Sequence, residues 1–214
     1  MAAPATGTLE PAIASATEPQ GSRSDALAST ALLDVVQACF HARSSEWVFL
    51  RELRVGTGFR NNAAQRLDAF ALNCFAHTSM KRVCYEVKIS RADFLCEMKQ
   101  PLKRRIGLRY SNEFYFVVPA GLLNTSEIPI ECGLVEIGHF TDEERQSAFT
   151  PLGSLIRFDV NHSTWCRVTV PAPWRDTPGP TWQFVAGMLR NQQKSFRGAP
   201  PKQAANQQCL PFAD

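Results

Sequence analysis

Two carboxylates and a lysine fall close together in this chain, on two neighbouring apolar runs. Asp68 lies in Arg66-Leu-Asp-Ala-Phe-Ala-Leu72. Glu86 and Lys88 lie in Val83-Cys-Tyr-Glu-Val-Lys-Ile89. Both runs read as β-strands, whose side chains alternate between faces. In the second run Val83, Tyr85, Val87 and Ile89 share one face, and Cys84, Glu86 and Lys88 share the other. Setting a carboxylate and an ammonium beside a core is costly unless each finds a partner or a metal. Asp68 is the natural third group.

Magnesium takes oxygen ligands, commonly one or two carboxylates, and leaves the remaining positions to water and substrate phosphate. Asp68 and Glu86 meet that demand, and Glu52, just upstream, is a candidate further ligand, direct or through water. Bound Mg²⁺ or Mn²⁺ would acidify a water and neutralise charge on a phosphate. Lys88 would orient or deprotonate that water, or stabilise the pentavalent phosphate. These are the parts of a metal-dependent nuclease, with Asp68, Glu86 and Lys88 as catalytic residues. The spacing Glu-x-Lys also fits a plain ion pair on an edge strand. The apolar flanks and the basic helix that follows favour the site.

The elements that must position these groups are legible around them. A helical period starts at Asp25 with Leu27, Leu32, Val35, Val36, Cys39 and Phe40, and is expected to end near Arg43. A short strand is expected at Leu53–Val55, and Gly56, Gly58, Asn61 and Asn62 mark a turn. Ser90 reads as an N-cap with Asp93 three residues on, opening a helix whose apolar face is Phe94, Leu95 and Met98. Pro101 kinks that helix or starts another. Glu113–Pro119 and Gly133–Gly138 read as buried strands. The order of elements predicts an α/β fold, a mixed β-sheet flanked by helices. Further on, Thr141 and Glu144 suggest a capped helix, Trp165–Val170 a strand, and Trp182–Arg190 a helix. Residues 1–24 are expected to be a disordered segment, 25–190 the domain, and 191–214 a disordered tail.

Taken together, these segments resemble the PD-(D/E)XK nuclease superfamily, and more closely its MmcB-like DNA-repair branch. The likeness rests on Arg66-x-Asp68, Glu86-x-Lys88-x-Ser90-x-x-Asp93-Phe94, Tyr115-Phe116-x-x-Pro119 and Pro129-x-x-x-Gly133-Leu134. It covers roughly residues 46 to 138, and the combined spacing is far more specific than any one motif. It implies a restriction-endonuclease-like core, and a DNA endonuclease of DNA repair or phage-like DNA processing. It departs from the family pattern at Pro101-Leu-Lys-Arg-Arg105, where relatives carry an aromatic pair. Ser90 and Asp93 are open to two readings: a helix cap, or a phosphate contact at Ser90 with Asp93 supporting Lys88 from behind.

The net charge of +3 is too small to identify a nucleic-acid binder by itself. Local charge says more. Between Ser90 and Tyr110, Arg91, Lys99, Lys103, Arg104, Arg105 and Arg109 face only Asp93 and Glu97, and the first five are candidate DNA contacts. Without a base-reading module, such contacts would follow backbone and shape. Tyr110 and Trp174 read as core or rim groups, with base stacking the alternative. Seven cysteines without a Cys-x-x-Cys pair suggest reduced thiols in a cytoplasmic protein, and the four histidines have no partner at zinc-ligand spacing. No membrane span and no secretory signal are expected. Near the end, Gln207, Leu210 and Phe212 resemble a short peptide that docks on the bacterial sliding clamp. The rival to a nuclease is a DNA-binding repair accessory protein with weak or no cleavage on the same fold.

Overall fold

The computed structural model describes residues 23–55, 65–140, 156–158 and 164–197. Seven strands form one mixed sheet in the order β1-β2-β3-β4-β5-β7-β6. They are β1 (Trp47–Val55), β2 (Gln65–Asn73), β3 (Arg82–Val87), β4 (Glu113–Pro119), β5 (Gly133–His139), β6 (Ile156–Phe158) and β7 (Thr164–Val170). β3, β4 and β5 run parallel, and every other pairing is antiparallel. The expected α/β fold, a mixed sheet flanked by helices, is what the chain forms.

Helix α1 (Arg23–Phe40) covers one face. Its Leu33, Val36 and Cys39 pack on Ala69, Ala71, Val83, Tyr85, Val87 and Val117. The other face is covered by α2 (Arg91–Met98), α3 (Arg105–Tyr110) and α4 (Trp182–Arg197), which bring Phe94, Tyr110 and Phe184 against Leu53, Phe70, Cys84, Phe114, Phe116 and Leu134. Because β3 and β4 are buried on both faces, they read as near-continuous apolar runs. The alternation expected in β3 holds: Val83, Tyr85 and Val87 face α1, and Cys84 faces the second core.

Several boundaries differ from expectation. α1 ends at Phe40, and β1 spans nine residues instead of the last three. β3 ends at Val87, yet the Lys88 N–H still donates to the Val117 carbonyl at 3.0 Å. Ser90 is the N-cap: its Oγ accepts from the Asp93 N–H at 3.2 Å. Pro101 does start a new element, a 3-10 turn over Pro101–Arg104 that leads into α3. Leu95 is exposed at 44%, so the buried side of α2 is Phe94 with Glu97, not Leu95. β6 had no signal strong enough to predict it. α4 runs to Arg197, past the boundary expected at residue 190. The helix proposed at Thr141 and Glu144, and the tail motif of Gln207, Leu210 and Phe212, lie outside the described residues. Among the described residues no helix is long and apolar enough to cross a membrane.

Candidate active site

The β2–β3 register sets the site. Its last paired residues are Ala69 and Tyr85, which brings Asp68 and Glu86 opposite each other one step further on. There the ladder is broken by a side chain: Asp68 Oδ2 accepts the Val87 N–H at 3.0 Å. Asp68, Glu86 and Lys88 thus meet in one cleft at the end of β3. Lys88 Nζ donates to Glu86 Oε1 at 3.0 Å, and lies 3.7 Å from Asp93 Oδ2 and 3.7 Å from Glu97 Oε2. Arg66 Nη2 stands 3.9 Å from Asp68 Oδ1.

Three carboxylates, Glu86, Asp93 and Glu97, therefore surround one buried ammonium, with Asp68 lining the same cleft. Burial, then the neighbouring Asp68 carboxylate, pushes the Glu86 carboxyl up to about 7 against the pull of Lys88. Burial also raises Asp68, against the Val87 N–H and the Lys88 charge. Burial alone would lower Lys88, but Glu86, Asp93 and Glu97 outweigh it and leave its ammonium raised. Glu86 and Asp68 therefore hold their protons more tightly than free carboxyls do, and Lys88 keeps its own.

The cleft has two lobes sharing Arg66, Asp68, Glu86, Lys88 and Asp93. One, of about 340 Å³, reaches Gln65, Cys96, Glu97, Lys103 and Arg104. The other, of about 820 Å³, reaches Glu52 and the Ser29–Thr30 turn of α1. Glu52 falls opposite Asp68, at the one position the β1–β2 ladder skips between its Arg51 and Leu53 pairs. Its φ of 49° is left-handed, a conformation that strains a non-glycine residue. Glu52, Asp68 and Glu86 thus line a single row across three strands.

Asp93 serves two ends: its N–H closes the helix cap and its carboxylate faces Lys88. Ser90 is exposed at the mouth of the cleft. Among the expected DNA contacts, Lys99, Lys103 and Arg105 are exposed. Arg91 is exposed but paired with Glu127, at 2.7 Å from one oxygen. Arg104 corrects the expectation. It is 6% exposed, sits over the Phe116 ring and pairs with Glu131 at 3.5 Å, so it is part of the cleft wall and not a surface cation. Pro101 turns the chain inward at that point, which the run Lys-Arg-Arg does not reveal. Tyr110 is core, stacked on Phe184, whereas Trp174 is exposed with its indole N–H on Asp176.

Glu97 was missed. It is 5% exposed, more buried than any other carboxylate around Lys88. The available signal was its place one helical turn after Asp93, on the side of α2 that carries Phe94. Among the described residues no three His, Cys, Asp or Glu side chains form a ready-made metal-holding group. A hard cation here would rest on two carboxylates with water or phosphate, the arrangement magnesium commonly accepts.

No protein-family model matches the chain, and no curated protein matches it. Among solved structures it is similar to a protein of unknown function from Silicibacter pomeroyi, at 16% identity and a TM-score of 0.43, over 73% of this chain and 80% of that one.

Proposed function

We propose that this chain is a magnesium- or manganese-dependent DNA endonuclease of the PD-(D/E)XK type, hydrolysing phosphodiester bonds in DNA repair or phage-like DNA processing. The observation that carries this reading is the convergence of Asp68, Glu86 and Lys88 in one cleft, with the two carboxyls raised by burial. Two adjacent carboxylates whose protons are held unusually tightly form a donor set that a divalent cation satisfies. Asp68 and Glu86 would hold the ion, with Glu52 contributing from the opposite strand, and the bound ion supplies Lewis-acid activation of a water and of the scissile phosphate. Lys88, kept protonated by its carboxylate neighbours, offers positive charge to the phosphate as negative charge develops there. Arg66 at the rim and the exposed Lys99, Lys103 and Arg105 offer charge to the flanking phosphates.

One observation favours the rival reading, a DNA-binding accessory protein: Glu86 already spends an oxygen on Lys88. The same pair opens if Glu86 turns to a cation, so cleavage decides between the two. A panel of labelled single strands, duplexes, flaps and junctions is incubated with Mg²⁺, Mn²⁺ or EDTA, using wild type, Asp68→Ala and Lys88→Ala. Metal-dependent cutting by wild type alone supports the nuclease, whereas equal DNA binding by all three with no cutting removes it.

Two further parts of the reading concern setting. Among the described residues the six cysteines form no disulfide, as a reducing cytoplasm would keep them. The tail residues Gln207, Leu210 and Phe212 are proposed to dock on a sliding clamp. Deleting 207–212 should abolish clamp binding and spare cleavage, and unchanged binding by the truncated protein would remove the idea.

A further inference from the structure

We infer that Glu97 is a positioning residue for Lys88, anchoring its ammonium from the helix side so that Glu86 is free to turn toward a cation. The inference rests on the proposed site, but its contacts are those of the folded chain. A glutamate on the buried side of α2, beside Phe94, is expensive to keep without a partner. The Glu97 and Lys88 side chains are each 6% exposed and lie 3.7 Å apart. Asp93 lies at the same 3.7 Å but is 50% exposed, so water screens its attraction.

Lys88 carries its charge on a flexible four-carbon stem. With Glu86 as sole partner, the ammonium would follow that carboxylate and compete for its oxygens. Glu86 comes from β3 and Glu97 from α2, so the ammonium is bracketed from two elements. α2 is itself fixed: Ser90 caps its start, Phe94 packs edge-on against Phe116 at 5.3 Å, and the Arg104 guanidinium donates to the Glu97 carbonyl at 3.5 Å. From β2, Asp68 and Arg66 also face this cleft and lie 3.9 Å from each other.

The test is a double-mutant cycle of Lys88→Met and Glu97→Gln, with Glu97→Asp as the conservative variant. Cleavage at saturating DNA is expected to fall about 10- to 100-fold in Glu97→Gln with DNA affinity within about 2-fold of wild type, the signature of a misplaced catalytic group. Glu97→Asp should recover part of the rate. In the Lys88→Met background, Glu97→Gln should cost less than about 2-fold more. Full, additive losses in the two backgrounds would overturn the inference, because Glu97 would then act independently of Lys88. Melting temperature gives a second cycle that needs no activity. Each single variant should lower it, and in the Lys88→Met background Glu97→Gln should cost nothing further, since Glu97 has already lost its cation there; Glu86 is without Lys88 in both. If wild type cuts nothing and the melting cycle is strongly coupled, the nuclease reading fails and the Glu97–Lys88 anchor stands. Additive melting losses would overturn the anchor itself.

Discussion

Removing the Glu86 charge should stabilise the fold in alkaline solution and leave it nearly unchanged in acid. Glu86 is opposed to Asp68 across the β2–β3 ladder, its side chain is only 19% exposed, and its carboxyl is raised from 4.5 to about 7 by burial and then by Asp68. The sign follows from proton linkage. The folded chain binds the Glu86 proton more tightly than the unfolded chain, so the benefit of the protonated form is complete below 4.5 and is lost as pH rises through about 7. At ~1.4 kcal/mol per pH unit, Glu86 costs the native state ~3 kcal/mol at pH 8 and less than ~1 kcal/mol at pH 5. Glu86→Gln removes that cost but takes the 3.0 Å partner from Lys88, which keeps Asp93 and Glu97. The pull of Lys88 on the carboxylate is already contained in the raised value of Glu86, so the change between the two pH values measures the net cost of the charge. Urea unfolding followed by tryptophan fluorescence in EDTA, at pH 5 and pH 8, should show the variant gaining ~2–3 kcal/mol on wild type across that interval. A difference that does not change with pH, or that shifts toward wild type, would refute the electrostatic account of the cleft.

Other consequences can be measured separately. His41 is 4% exposed, donates or accepts at 2.8 Å with the Tyr85 hydroxyl, and burial lowers it to about 3. The unfolded chain therefore binds this proton first, and stability should fall by ~2 kcal/mol from pH 7.5 to pH 5. His41→Phe should flatten that part of the urea-unfolding profile, and an unchanged slope would place the acid sensitivity elsewhere. Glu52→Gly should relieve a left-handed backbone and raise stability by ~1 kcal/mol while lowering metal-dependent cleavage. Lower stability with full cleavage would contradict both halves. Arg104→Ala should lower the melting temperature by removing a buried guanidinium from Glu131 and Phe116, whereas Lys103→Ala should leave melting unchanged and weaken DNA binding with a reduced salt slope. The reverse pattern would restore Arg104 as a surface contact.

The strands that carry Asp68 and Glu86 were legible because their periods are strong and their faces differ in chemistry. β3 and β4 keep apolar side chains on both faces, and Ser90 with Asp93 announces α2. The distortion at Glu52 was not legible, because nothing local marks it. It sits at the one pair, Glu52 with Asp68, that the β1–β2 ladder skips between Arg51 and Leu53 while the register stays the same on both sides. Arg104 was misread because a basic run carries no information about which member turns inward, and that is decided by the 3-10 turn after Pro101. Glu97 was hidden for the same reason. Composition predicts an exposed glutamate, and only the packing of α2 on the sheet shows that Lys88 gives it a buried partner. β6 is three residues long and is held by β7, so its identity belongs to tertiary pairing and not to its own sequence.

The most direct test of the central claim is the cleavage rate of EDTA-treated wild type on labelled DNA as Mn²⁺ is added back, with Glu86→Gln purified and assayed in parallel. The account predicts no cutting in EDTA, a rate that rises and saturates with metal, and none in the variant. Equal cutting by wild type and variant, or no cutting by folded wild type at saturating Mn²⁺ on every DNA structure offered, would contradict it.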